Sequence, residues 1–76
     1  MGPMLKIPNT NKCLVPGNKI KLGRFDVTTW LVQFGWYSFD SNRSICCWYL
    51  IDITNNNGVS KPLHLSDLDD IHMIVQ

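Results

Sequence analysis

Two consecutive stretches of apolar and aromatic residues occupy the middle of the chain. The first runs from Thr29 to Phe39 and the second from Ser44 to Ile53, and only four polar residues separate them. Both stretches are rich in β-branched and aromatic side chains, which fit the pleated surface of a strand. The separating residues include Asp, Ser and Asn, which favour tight turns. The pattern therefore predicts a long β-hairpin.

Alternating runs on either side of the hairpin predict two more strands. Residues 19–25 alternate polar and apolar positions after a Pro16-Gly17-Asn18 turn, which is typical of a strand with one face in water. Residues 59–65 alternate in the same way after an Asn-rich turn that ends at Gly58. Because Pro62 has no amide proton, this second run is expected at a sheet edge or at a bulge.

A single helical turn is predicted shortly before the end of the chain. Ser66 can cap it and Asp69 can reach back to a free amide, while residues 72–75 return to a strand pattern. Five short strands with one helical turn before the fifth resemble small SH3-like barrels. The resemblance covers residues 17–75 and implies that architecture, and no motif of a particular family accompanies it.

Composition supports a mainly β fold in one small domain. The 76 residues are 45% hydrophobic and 17% charged, as in globular proteins, and they include neither Ala nor Glu, two good helix formers. Residues 17–76 are expected to form a single small β-barrel domain. Residues 1–16 are expected to form an extended N-terminal arm, of which residues 1–3 are interpreted as a vector remnant before a natural start at Met4.

The turn of the long hairpin predicts which side chains share a face. A two-residue loop at Ser41-Asn42 would fix the strand register. Trp36 then lies opposite Cys47, on a face that carries no charge and is expected to be buried. Trp48 lies opposite Gly35 on the other face, where its ring can cover the bare glycine. This second face mixes polar and aromatic residues and is expected to meet solvent.

The predicted solvent-facing side of the hairpin is the candidate binding surface. Aromatic side chains bury large areas at small entropic cost, so an exposed group of them is typical of an interface. The candidate partner-binding residues are Tyr37, Phe39, Arg43, Trp48, Leu50, Pro62 and His64. Two alternatives use the same rings: Leu5, Ile7 and Leu14 of the arm cover them, or a second copy of the chain does so in a homodimer.

No arrangement of reactive residues predicts an enzyme or a metal site. Cys46 and His64 could share a face, but no acid is placed to orient the histidine. Cys46 and Cys47 are adjacent in a strand, so their side chains diverge and suit neither a shared metal nor a mutual disulfide. The acids near the C-terminus lack the glycine and glutamate of a calcium loop. We therefore expect no catalytic residues, no metal and no cofactor.

Charge and cysteine content narrow the choice of partner and compartment. The formal net charge is +1, with no clustered basic face, so protein is a stronger candidate partner than nucleic acid. Nucleic acid stays an alternative because aromatic rings on a barrel face can stack single-stranded bases. No apolar run approaches the roughly 18 residues of a membrane span. Three cysteines, an odd number, favour reduced thiols and a cytoplasmic location.

Together these features predict a non-enzymatic protein-interaction module that binds a partner protein through the aromatic hairpin face. Small size and frequent Asn, Ile and Lys suit an accessory protein of a phage or mobile element. One alternative is a single-stranded nucleic-acid-binding small barrel. Another is a structural or virion subunit that uses the same face for assembly.

Overall fold

The computed structural model of the protein describes residues 2–74. These residues form seven β-strands and one short 3₁₀ helix. The elements are β1 (Leu5–Lys6), β2 (Cys13–Leu14), β3 (Lys19–Leu22), β4 (Trp30–Asp40), β5 (Arg43–Asp52), β6 (Ser60–Pro62), the 3₁₀ helix (Leu65–Asp69) and β7 (Ile71–Ile74). The prediction of a mainly β chain is confirmed.

Five of the strands form one antiparallel sheet, in which the order is β6-β5-β4-β3-β7. β1 and β2 form a separate two-stranded hairpin. The large sheet and the helical turn before its last strand follow the predicted order of elements. The edge strands β6 and β7 are not neighbours, so within the described range the sheet is open and is not a closed barrel.

The long β4–β5 hairpin is present, but a bulge changes its register. Asp40 lies opposite Arg43, as the predicted two-residue turn requires, and the Asp40 carboxylate accepts a hydrogen bond from the Asn42 amide at 2.8 Å. The register then shifts between Ser38 and Asp40, which leaves Phe39 as an extra residue in β4. Beyond this bulge, every pair differs by one residue from the predicted pair.

A shift of one residue moves side chains to the opposite face of a sheet. Trp48 therefore lies opposite Phe34 and not opposite Gly35. The predicted division of β5 side chains into a buried set and a solvent-facing set is wrong. Between the bulge and the ends of the strands distant from the hairpin turn, even-numbered residues of both strands share one face, here named the core-side face. Odd-numbered residues share the other face, here named the outer face.

The hydrophobic core lies against one half of the core-side face. Its buried members are Ile7, Leu14, Ile20, Trp30, Val32, Leu50 and Leu68. Two of them, Ile7 and Leu14, belong to the segment that the sequence predicts as an extended arm. That segment turns back at Asn9, which adopts a φ of 62°, and Thr10 Oγ1 donates to the Ile7 carbonyl at 2.8 Å. The β1–β2 hairpin that results covers the large sheet.

Polar groups close the buried end of the core-side face. Asp52 is buried opposite Trp30, and Lys61 Nζ lies 4.7 Å from the centre of the Trp30 ring. The Asp52 carboxylate accepts hydrogen bonds from the Asn55 side chain at 3.1 Å and from the Thr54 amide at 2.8 Å. Burial raises the pKa of Asp52, but these hydrogen bonds outweigh burial and hold the pKa below the ordinary value of 3.8.

Candidate functional site

The seven predicted binding residues do not lie on one face. Leu50 is 0% exposed and belongs to the core. Trp48 and His64 lie on the core-side face. Those on the outer face are Tyr37, Phe39, Arg43 and Pro62. The structure therefore divides the predicted surface between two sides of the hairpin.

The core-side face continues beyond the core that covers it. Val32 and Leu50 are fully buried, whereas Phe34 is 41% exposed and Trp36 is 72% exposed. The Phe34 and Trp48 rings meet edge to face, with centroids 5.2 Å apart, a favourable aromatic geometry. A single apolar face therefore starts inside the protein and ends in solvent.

A groove with a volume of about 280 Å³ lies where this face leaves the core. Three parts of the fold form its walls: the β4–β5 hairpin, β1, and the segment that leads from β6 through the 3₁₀ helix. The lining residues are Leu5, Phe34, Cys46, Cys47, Trp48, Leu63, His64, Leu65 and Leu68. Cys47 is odd-numbered, so its side chain lies on the outer face. Apart from the imidazole of His64 and the thiol of Cys46, the other lining side chains are hydrocarbon or aromatic, so the groove suits an apolar occupant.

The 3₁₀ helix places one leucine in the core and another in the groove. Residues three apart eclipse each other in a 3₁₀ helix, so Leu65 and Leu68 share one side. Leu68 is buried and anchors the helix, whereas Leu65 is 84% exposed. Leu65 therefore extends the apolar surface of the groove outward.

The hydrogen bonds that fix this helix differ from the predicted ones. The Asp67 carboxylate accepts from the His64 amide at 3.0 Å, so the helix starts earlier than the predicted Ser66 cap. At the other end, the Asp70 carbonyl accepts from the Gly23 amide at 2.8 Å. The first bond caps the start of the helix, and the second ties its end to the turn at Gly23.

The outer face also carries aromatic rings, but these rings pack against one another. Tyr37 lies 5.2 Å from Phe39 and 5.4 Å from Tyr49 between ring centroids. The Arg43 guanidinium carbon lies 5.1 Å from the Phe39 centroid. The Tyr37 hydroxyl donates to the Ser60 carbonyl at 2.9 Å, which ties the hairpin to β6. This cluster has a structural role, because it joins the β4–β5 hairpin to β6.

The Cys47 thiol, beside the groove, is not activated. Burial raises the pKa of Cys47, and the neighbouring Cys46 thiol raises it further. A thiol with a raised pKa forms less thiolate at neutral pH and is a poor nucleophile or metal ligand. In residues 2–74, no three His, Cys, Asp or Glu side chains are placed to share a metal ion.

Sequence reasoning missed Phe34, Trp36 and Leu65. The hairpin register predicted from the turn puts Phe34 on the same uncharged face as Trp36, two residues away, and so predicts burial for both. The spacing of Leu65 and Leu68 was the available signal for the third, since leucines three residues apart around Ser66 and Asp67 mark one side of a helical turn.

Comparisons with known proteins find no family model, no curated protein and no solved structure that matches this chain. The described residues include no helix with the length and apolar character needed to cross a membrane.

Proposed function

We propose that this protein is a non-enzymatic protein-interaction module that binds a partner protein through the open end of the core-side face. The observation that carries the proposal is the combination of an apolar groove with two large, solvent-exposed apolar side chains at its margins. Trp36 is 72% exposed and Leu65 is 84% exposed. Exposed aromatic and aliphatic anchors beside a pocket are typical of the centre of a protein interface.

A cytoplasmic location and an SH3-like architecture belong to the same proposal. Cys13, Cys46 and Cys47 are free thiols, which suits a reducing compartment. The order β6-β5-β4-β3-β7, with a helical turn before the last strand, supports a relation to SH3-like barrels in which the sheet is open.

Affinity capture from the source cell with matched variants tests the proposal. Trp36→Ala removes the exposed ring beside the groove, and Phe25→Ala removes a ring that is 89% exposed and lies outside the groove lining. Loss of an aromatic anchor costs about 1.4 kcal/mol or more, which is at least a tenfold loss of affinity. We expect the Trp36 variant to lose a partner that the wild type and the Phe25 variant retain. Equal recovery of the partner by all three proteins would refute the proposed surface.

A further inference from the structure

β6 pairs with only part of the β5 edge that is directed away from β4. Their pairing extends from Ile51 opposite Ser60 to Tyr49 opposite Pro62. A hydrogen bond of 3.0 Å from the Leu63 amide to the Trp48 carbonyl follows, and the chain then turns into the 3₁₀ helix. From residue 47 back to residue 43, β5 pairs with β4 on one side and with no other strand of residues 2–74 on its outer side.

The backbone groups at this free edge follow from the hydrogen bonds already made there. The Asp52 amide donates to the Val59 carbonyl at 2.8 Å, and the Trp48 carbonyl accepts from Leu63. Even-numbered residues of β5 therefore direct their amide and carbonyl groups toward β6. Alternate residues of an antiparallel strand share this direction, so Ser44 and Cys46 present their amide and carbonyl groups to the free edge.

The free edge lacks the features that usually prevent strand addition. Natural edge strands carry lysine, proline, inward-facing charges or bulges that block another strand. Residues 44–47 are Ser, Ile, Cys and Cys, with no charge and no proline, and the bulge of the hairpin lies in β4. This stretch of backbone can therefore accept hydrogen bonds from, and donate them to, an added strand.

The groove adjoins this edge and fits the side chains of such a strand. Cys46 and Cys47 belong both to the free edge and to the groove lining. A strand that pairs with them directs alternate side chains toward the core-side face, between Trp48 and Leu65. The groove's volume of about 280 Å³ lies at the lower limit of ligand pockets, which are typically about 300–1,000 Å³. It is suited to one or two apolar side chains.

Charge around the groove selects between possible occupants. Asp67 and Asp69 lie on the 3₁₀ helix that forms one wall, and Asp70 follows directly. A basic residue at the end of an added strand nearest Cys47 would be attracted to this wall. A second copy that paired antiparallel with the same residues would bring both Arg43 and Asp40 of its own hairpin turn toward these acids. That pair carries no net charge, so a segment that ends in an unpaired Lys or Arg is attracted more strongly.

We propose that the partner protein contributes an extended segment that pairs antiparallel with residues 44–47, inserts alternate apolar side chains into the groove, and places a Lys or Arg beside the acidic 3₁₀ helix. This proposal rests on the proposed function and specifies its binding mode. Main-chain hydrogen bonds supply affinity and the groove supplies side-chain selection, as in other cases of strand addition.

A synthetic peptide and a matched pair of variants test this mode. The probe is an acetylated and amidated six-residue peptide in which two lysines precede alternating leucine and threonine. Cys46→Pro removes the edge-facing amide, at a position where proline costs no hydrogen bond to β4. Cys46→Val keeps that amide and changes only the side chain. NMR titration measures the dissociation constant and the chemical shifts of residues 44–47.

We expect the proline variant to bind at least about tenfold more weakly than the valine variant, because only the valine variant keeps the edge-facing amide. A peptide N-methylated on its edge-facing amides should bind equally weakly, and it serves as the test if the proline variant does not fold. A peptide with glutamates in place of the lysines should also bind more weakly at low salt.

Four outcomes would overturn the proposal. If the N-methylated peptide binds as tightly as the unmodified peptide, the contact is apolar and involves no strand addition. If the glutamate peptide binds as tightly as the lysine peptide, the 3₁₀ helix does not select a basic residue. A wild-type dimer in analytical ultracentrifugation that becomes monomeric with Cys46→Pro would make a second copy the occupant. If the peptide does not bind the wild type but affinity capture of the partner still depends on Trp36, strand addition is wrong and the proposed function stands.

Discussion

The two faces of the β4–β5 hairpin carry similar numbers of aromatic rings and use them differently. On the outer face, the Tyr37, Phe39 and Tyr49 rings contact one another, and a hydroxyl ties them to β6. On the core-side face, the ring of Trp36 extends beyond the core and is 72% exposed. Aromatic content alone therefore does not identify a binding surface. The difference lies in whether each ring already has a partner within the protein.

The core-side face itself contains a second contrast, between its two ends. The end near Trp30 is buried, and Asp52 and Lys61 lie beside it with specific polar or ring contacts. The end near Trp36 has no comparable cover in the part of the chain that the structure describes. Because the two ends lie on the same strands, substitutions along this face separate stability from binding.

Leu50→Ala should have the largest effect, because it tests whether a predicted binding residue is a core residue. Leu50 is 0% exposed, and truncation of a buried leucine removes transfer free energy and leaves a cavity. We expect a loss of about 2–5 kcal/mol in the free energy of unfolding, measured by urea denaturation. A loss below about 1 kcal/mol would indicate that this end of the core-side face is not packed as described.

The elements of the fold could be predicted from the sequence because their signals are local. Asn and Gly at the turns, alternation in residues 19–25 and the long hydrophobic stretches each specify a nearby conformation. The register could not be predicted, because the extra residue at Phe39 leaves no local signal. Neither Ser38 nor Asp40 distinguishes a bulge from a regular strand, and one residue is enough to exchange the faces of β5.

The candidate site was harder to predict because exposure depends on parts of the chain distant in sequence. Trp36 lies on a face without charge, and such a face is normally buried. Its exposure is decided by how far the β1–β2 hairpin and the 3₁₀ helix extend over the sheet. Leu5 and Leu68 reach the groove, and Trp36 lies beyond its lining. Sequence periodicity predicts which residues share a face but not how much of that face is covered.

Tyr37→Phe should have the next largest effect and tests the structural role of the outer face. The substitution removes the hydrogen bond from the Tyr37 hydroxyl to the Ser60 carbonyl and keeps the ring contacts. A hydrogen bond of this kind contributes about 0.5–1.5 kcal/mol, so thermal unfolding monitored by circular dichroism should show a lower Tm.

Tyr49→Phe is the matched control for this measurement. Tyr49 packs against the Tyr37 ring, but within residues 2–74 the Tyr49 hydroxyl makes no hydrogen bond to another strand. The control should unfold close to the wild-type temperature. If both variants lose the same stability, the rings and not the hydroxyl hold β6 to the hairpin. If neither variant loses stability, the outer-face cluster does not hold β6 to the hairpin.

Acid should weaken the fold through the buried end of the core-side face. The pKa of Asp52 is below its ordinary value of 3.8, because the hydrogen bonds from Asn55 and Thr54 outweigh its burial. Above pH 3.8 the carboxyl is ionised in both folded and unfolded chains, so this stabilisation is fully present. As the pH falls below 3.8, the unfolded chain takes up the proton first, and the stabilisation is lost as the pH passes the lower folded value.

Asp52→Asn provides the comparison for this pH dependence. Urea denaturation between pH 6 and pH 3 should show a shallower loss of stability for the variant than for the wild type, because one carboxyl with a lowered pKa is absent. Asp26, whose pKa is also lowered despite burial, by hydrogen bonds from Thr28, Leu22 and Trp30, should leave a residual slope. Parallel curves for the two proteins would show that Asp52 does not contribute to acid sensitivity.

Trp36→Ala should have the smallest effect on stability. The ring lies beyond the groove lining and is 72% exposed, so its removal leaves no cavity and no unpaired polar group. Exposed substitutions of this kind change the free energy of unfolding by about 0.5 kcal/mol or less. Urea denaturation should therefore give overlapping curves for the variant and the wild type, even though we expect the variant to lose its partner. A stability loss approaching that of Leu50→Ala would mean that this end of the face is packed, and binding would have to be sought elsewhere on the protein.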